Sequence, residues 1–158
     1  MTYPATAQDI MAHVLGLLSA NQVISAVLDF PGHLDERLLQ AAVLESMRQH
    51  PVLGCRFVSG TDPRWEPAEG DSAALFTVQH CLDGELAALS DACLVQDWDH
   101  TLGQAACRLL RAGHDRLIIA ISHLCSDGSG LKAYLAILGD LYTQMEAGHR
   151  PLSQPDSR

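Results

Sequence analysis

Arg116–Gly130 reads RLIIAISHLCSDGSG, and the fold turns on this stretch. Leu117–Ile121 is apolar on both faces, as a strand in the middle of a sheet covered on both sides must be. The run ends at Ser122-His123, and Asp127-Gly128 is a turn signal that also opens a helix. His123 therefore stands at the end of a buried strand, where rigid backbone holds it. An imidazole there is suited to proton abstraction near neutral pH. Asp127 either caps the following helix or pairs with a cation, and Gly128 and Gly130 permit close backbone approach. The bland reading of the same residues is a capped turn with a satisfied polar histidine. Cys125 reads as a small packed thiol rather than a nucleophile. A metal site on His123, Cys125 and Asp127 would need a second cluster with ligand spacing, which the sequence lacks.

Working outward, Leu131, Tyr134, Leu135, Leu138, Leu141, Tyr142 and Met145 repeat at helical spacing and predict a helix over 130–147. Pro151–Arg158 (PLSQPDSR) reads as a tail or linker. Upstream, Ala105–Arg111 and Arg116–His123 are joined by a short glycine-containing connection, which predicts a hairpin. Arg108 and Arg111 are expected on its exposed edge. Leu75–Cys81 reads as a strand and Leu82–Cys93 as a modest helix. Gly54–Ser59 (GCRFVS) is another strand, and Trp65 sits on a short one within a loop. Asp35 caps a helix over 35–49 that buries Leu38, Leu39, Ala42, Val43, Ser46 and Met47, and His50-Pro51 stops it. Asn21–Phe30 is a strand, and Ile10, Met11, Val14, Leu15, Leu17 and Leu18 predict a first helix over 8–19. The fold class is α+β, a two-layer arrangement. It has one mixed β-sheet with Leu117–Ile121 central, and helices near 35–49 and 130–147 packed on one face.

The chain has 158 residues, 47% of them hydrophobic, and a net charge of −9. That is one domain's worth with enough apolar content for a packed core. So acidic a chain is unsuited to nucleic acid, whose binding rests on Lys and Arg. No run of apolar residues reaches a membrane span, and Met1–Asp9 is not a secretory signal. Cys55, Cys81, Cys93, Cys107 and Cys125 are odd in number and lack metal-ligand spacing, which predicts reduced thiols and a cytoplasmic location. His50, His80, His100 and His114 read as surface residues.

SHLCSDG resembles the HHxxxDG signature of the condensation domains of nonribosomal peptide synthetases. That superfamily includes chloramphenicol acetyltransferase and the alcohol acetyltransferases. Leu38–Phe57 (LLQAAVLESMRQHPVLGCRF) resembles the family's first long helix and its hPxLrxxF strand. Trp65, Asp97-Trp98-Asp99 and the Leu131–Tyr142 helix match in order, so the likeness runs over about 20–148.

The resemblance implies that 1–150 is an acyltransferase-like N-terminal lobe and 151–158 a tail. It implies that His123 is a general base, taking a proton from an alcohol or amine that attacks an acyl thioester. It makes Asp127 structural, facing an arginine, and Gly128 the residue that lets donor and acceptor approach. Ser122 replaces the signature's first histidine. Gly54 stands where the family often has the arginine, and Arg56, on the same face of the strand, is the candidate substitute. No cofactor or metal is implied. The acyl donor would be acyl-CoA or a phosphopantetheinyl carrier. The partner would be a second lobe, supplied in cis, in trans or by self-association, with a carrier protein as a further partner. The alternative is a non-catalytic interaction module that keeps the lobe fold.

Overall fold

The computed structural model describes residues 2–18 and 22–149. The tail expected over 151–158 lies outside them. The elements run β1 (Tyr3–Pro4), α1 (Ala7–Leu18), β2 (Val23–Phe30), α2 (Glu36–Gln49), β3 (Cys55–Val58), β4 (Arg64–Pro67), β5 (Phe76–His80), α3 (Leu86–Val95), β6 (Ala105–Arg111), β7 (Asp115–Ser122) and α4 (Gly128–Glu146).

A four-stranded sheet has the order β2-β7-β6-β5. Strands β2, β7 and β6 are antiparallel, and β5 joins β6 in parallel, so the sheet is mixed. β7 is an inner strand, as its composition requires. Leu117, Ile119 and Ile121 point into the core beneath α2 and α4. The alternate residue Ile118 meets Leu110, Leu86 and Cys93 beneath α3. The period-two alternation thus feeds two apolar faces from one strand. α2 and α4 lie side by side on one face, as expected, and α3 covers part of the other.

α2 starts where the Asp35 carboxylate accepts from the Arg37 and Leu38 N–H groups. It buries Leu39, Ala42, Val43, Ser46 and Met47. α4 buries Leu131, Tyr134, Leu138 and Leu141 against it. Between the two helices the Tyr134 hydroxyl meets the Ser46 hydroxyl at 3.0 Å. Burial pushes the neighbouring Cys107 thiol up to about 12, against a hydrogen bond with Tyr134 that acts the other way.

Two expectations are corrected. The described residues form two sheets, not one, because β3 and β4 pair with each other and β1 adds to β4 to make a separate antiparallel sheet. Trp65 anchors it, nearly buried and edge-on to Phe57. The second correction is Arg108, which is buried rather than on an exposed edge. Its guanidinium donates to the carbonyls of Cys93 and Gln96, the orphan acceptors at the end of α3. Arg111, mostly buried as well, pairs with the fully buried Asp115 and with Glu36. Asp115 also accepts from His33 Nδ1 and the Leu34 N–H, which ties the chain between β2 and α2 to the base of the hairpin.

Candidate functional site

The β2–β7 ladder continues one step past β7, where the His123 N–H donates to the Gln22 carbonyl at 2.7 Å. This bond fixes the backbone of His123, while its side chain is exposed. The imidazole has no hydrogen-bond partner among the described residues. The preceding Ser122 is buried, its N–H bound to the Gln104 carbonyl at 2.9 Å. A tight turn follows, in which the Ser122 carbonyl accepts from the Cys125 N–H and, at 3.4 Å, from its Sγ. Cys125 is half-buried against the main core, and all five cysteines are thiols.

Asp127 is the N-cap of α4: its Oδ1 accepts from the Gly130 N–H at 2.8 Å. It does not meet Arg56. That guanidinium is committed to Glu66 at 3.0 Å and Glu69 at 2.7 Å. The pairing offered as a substitute for the family's arginine is therefore absent, and of the two roles open to Asp127 the structure takes the cap. The reason is local. Arg56 lies in β3 directly opposite Glu66 in β4, so the cross-strand carboxylate captures it.

Gly128 follows as the first residue of α4. A Cβ built on it meets nothing within 4 Å. Its backbone is not in the left-handed region either, so neither packing among the described residues nor conformation requires glycine there. Gly103 is the opposite case. Its φ is +148°, and a Cβ would lie 2.7 Å from the Leu53 carbonyl oxygen. That close approach lets the next residue, Gln104, be inserted whole. Gln104 is 1% exposed. Its N–H reaches the Leu53 carbonyl, and its side-chain amide donates to the carbonyls of Cys55 at 2.9 Å and His100 at 3.1 Å. Gln104 thus joins the second sheet, the 97–101 loop and the end of β7. The sequence reading missed it, because a buried glutamine carries no pattern of its own.

Beside this junction lies a cavity of about 570 Å³ between α1, β3 and the 97–101 loop. Ser122, Leu124 and Arg56 line it, while His123, Asp127 and Gly128 do not. The predicted residues therefore divide into two groups: Ser122 and Arg56 line the cavity, and His123, Asp127 and Gly128 are exposed outside it. His100, one of the histidines read as surface, packs its ring on Trp98 and bonds Asp97 at 2.9 Å. Among the described residues no group of three or more His, Cys, Asp or Glu side chains is placed to hold a metal ion. No described helix is long and apolar enough to cross a membrane.

No protein-family model matches the sequence, and no curated protein matches it. Solved structures do. The X-domain from teicoplanin biosynthesis, in complex with OxyB, superposes with a TM-score of 0.81 at 21% identity over 97% of this chain and 35% of its own. The starter condensation domain of rhizomide synthetase RzmA gives 0.78 at 18% identity, over 98% of this chain and 42% of its own. A mutant of that domain in complex with C8-CoA gives 0.77 at 17% identity, over 96% and 37%. The chain thus spans about two fifths of the length of the condensation domains it matches. At this identity the likeness is one of fold: the chain has the fold of a condensation domain, over the part that its sequence resemblance marks as the N-terminal lobe.

Proposed function

We propose that this chain is the N-terminal lobe of a condensation-type acyltransferase and that His123 is its general base. The observation that carries the proposal is the exposed His123 imidazole, held by a ladder hydrogen bond at the open end of β7 beside an α4 that begins with Gly128. The space beside Gly128, where no described residue comes within 4 Å of an added Cβ, is where an acyl thioester and its acceptor would come together. The lone pair of an alcohol or amine attacks the thioester carbonyl carbon as His123 takes the proton. The tetrahedral intermediate then collapses, the C–S bond breaks, and the departing thiolate takes the proton back from the imidazolium. The products are an ester or amide and a free thiol. The acyl donor is an acyl-CoA or a phosphopantetheinyl carrier. The likeness to a domain solved with C8-CoA supports the former. A second lobe, in cis, in trans or from another copy, closes the site, and a carrier protein is a further partner.

The test uses the completed two-lobed protein with acyl-CoA or acyl-carrier donors and a panel of alcohols and amines. His123→Ala lowers transfer by about 10²–10⁴-fold with thioester binding retained, since general-base catalysis contributes about that much. Cys125→Ala is nearly silent. If His123→Ala turns over like wild type while Cys125→Ala is dead, a thiol mechanism replaces this one. A second reading, a non-catalytic interaction module, is favoured by Ser122 in place of the first histidine and by Gly54. The X-domain solved with OxyB is a precedent for this fold in a protein complex. Absence of transfer by the complete protein with every donor selects that reading.

A further inference from the structure

β7 is stopped at Ser122 rather than simply running out. The β6–β7 ladder has Ala105 opposite Ile121 as its last pair at this end. One step beyond, the Ser122 N–H donates to the Gln104 carbonyl at 2.9 Å, as one half of a hydrogen-bonded antiparallel pair. Such a pair exchanges both bonds, but the Gln104 N–H goes instead to the Leu53 carbonyl at 2.7 Å. The Ser122 carbonyl is thereby released from the ladder. It accepts from the Cys125 N–H at 3.2 Å, and this turn is the one that carries His123. The side chain of Gln104 explains the diversion. Its Nε2 donates to the carbonyls of Cys55, in β3, and His100, in the 97–101 loop. Each donor of Gln104 is thus spent away from β7, and only its backbone carbonyl reaches back to it.

We infer that Gln104 is the positioning residue for His123: it fixes where β7 leaves its ladder with β6, and so where the imidazole stands. The Ser122–His123 backbone is held from two sides, by the Gln104 carbonyl on one and by the Gln22 carbonyl on the other. The Gln22 side belongs to the β2 ladder and carries no side-chain anchor of its own. The Gln104 side is anchored by a buried amide whose donors are both engaged, so it supplies the rigid reference. With those donors removed, the Gln104 N–H is free to return to the Ser122 carbonyl. The ladder then lengthens by one bond and the turn is drawn with it. The catalytic consequence rests on the acyl-transfer proposal, in which Gln104 acts through His123 and moves no proton itself. The positioning can be measured without activity. The competing role is purely structural, a glutamine that joins the second sheet to the first and leaves His123 where it is.

The test has two arms. The first is native-state hydrogen exchange of the 158-residue chain. Gln104→Met keeps the length of the side chain and removes both donors, and it should speed exchange of the His123 and Cys125 amides by about tenfold or more through local opening. Ser46→Ala, a buried polar loss between α2 and α4, should leave both amides within about twofold of wild type. Gln104→Asn keeps the donors but withdraws them by one methylene. It is the milder variant should Gln104→Met fail to fold, with about threefold faster exchange expected. Unchanged His123 exchange, or equal changes in the Gln104 and Ser46 variants, overturns the inference. The second arm uses the completed two-lobed protein. Misplacing a reacting group by about 1 Å can cost about 10²-fold, so Gln104→Met should lower kcat by about 10–10²-fold with the thioester KM within about twofold. In the His123→Ala background the same substitution should change the residual transfer by less than about twofold, because what it positions is already gone. An equal fall in both backgrounds shows a purely structural glutamine and overturns the inference. If His123→Ala transfers like wild type, the acyl-transfer proposal fails, and the exchange arm alone then decides whether Gln104 positions His123.

Discussion

Asp127 spends its carboxylate on the first turn of α4, through the Gly130 N–H. Its contribution is therefore to folding. Asp127→Ala is expected to lower stability by about 1 kcal/mol in denaturant unfolding, and Asp127→Asn to keep most of it, since both side chains cap. Asp115 makes a larger contribution from a place the sequence did not mark. Burial by itself would raise its carboxyl. The hydrogen bonds from Arg111 and His33 and the Leu34 N–H outweigh it and hold the group well below the usual carboxylate range. A carboxyl depressed in the folded state stabilises above its unfolded value and loses that contribution as pH falls through the folded one. Wild-type stability should therefore drop steadily below about pH 5, while Asp115→Asn is less stable by roughly 3 kcal/mol at pH 7 and flatter in acid. Denaturant titrations at several pH values check both. Of the two residues, only Asp127 was legible beforehand, because a cap is written in adjacent residues. Asp115, like Gln104, is defined by partners tens of positions away. Arg56 shows the converse: its face on β3 was readable, but its true partners Glu66 and Glu69 came with the β3–β4 pairing.

Among the elements, α2, α4 and the β6–β7 hairpin were legible, because each carries its period and its stop signals within a short span. The parallel pairing of β5 with β6 and the separate β1-β4-β3 sheet were not. A strand's composition says that it needs neighbours without saying which ones, and both arrangements are set by long-range closure. α3 was read as modest, and its anchor is the residue misplaced on the surface. Arg108 alternates with the core residues Cys107 and Leu109, so it points to the other face of the sheet, where α3 ends. There it satisfies carbonyls that no residue of α3 can reach. Arg108→Leu should fit the apolar surroundings yet strand those acceptors, at a cost of about 1–3 kcal/mol. Hydrogen exchange should show the loss concentrated in Leu86–Val95, with α2 and α4 protected as before. Uniform loss across all helices would mean that Arg108 supports the sheet and not the end of α3.

For the molecule as a whole, the fold places the exposed His123 at the end of an inner strand. His123 is fixed by its backbone, yet its side chain is exposed and has no hydrogen-bond partner among the described residues, and the described cavity opens beside Ser122 on other residues. Acyl transfer from a thioester needs donor and acceptor held together and water kept away, and such positioning can supply about 7–11 kcal/mol of the barrier. On the acyl-transfer proposal, a chain spanning about two fifths of the condensation domains it resembles would supply the base without the enclosure. The 158-residue chain alone is therefore expected to transfer acyl groups no more than about tenfold faster than free imidazole at matched concentration. What thioester it does turn over should go to water rather than to the amine or alcohol, because nothing excludes bulk solvent. Supplying the missing lobe should then raise transfer and suppress hydrolysis together, and the ratio of the two products reports enclosure independently of rate. A lone chain that acylates an amine efficiently with little hydrolysis would mean that the walls come from a second copy, and the site would have to be sought between two copies at the His123 end of the sheet rather than in a longer polypeptide.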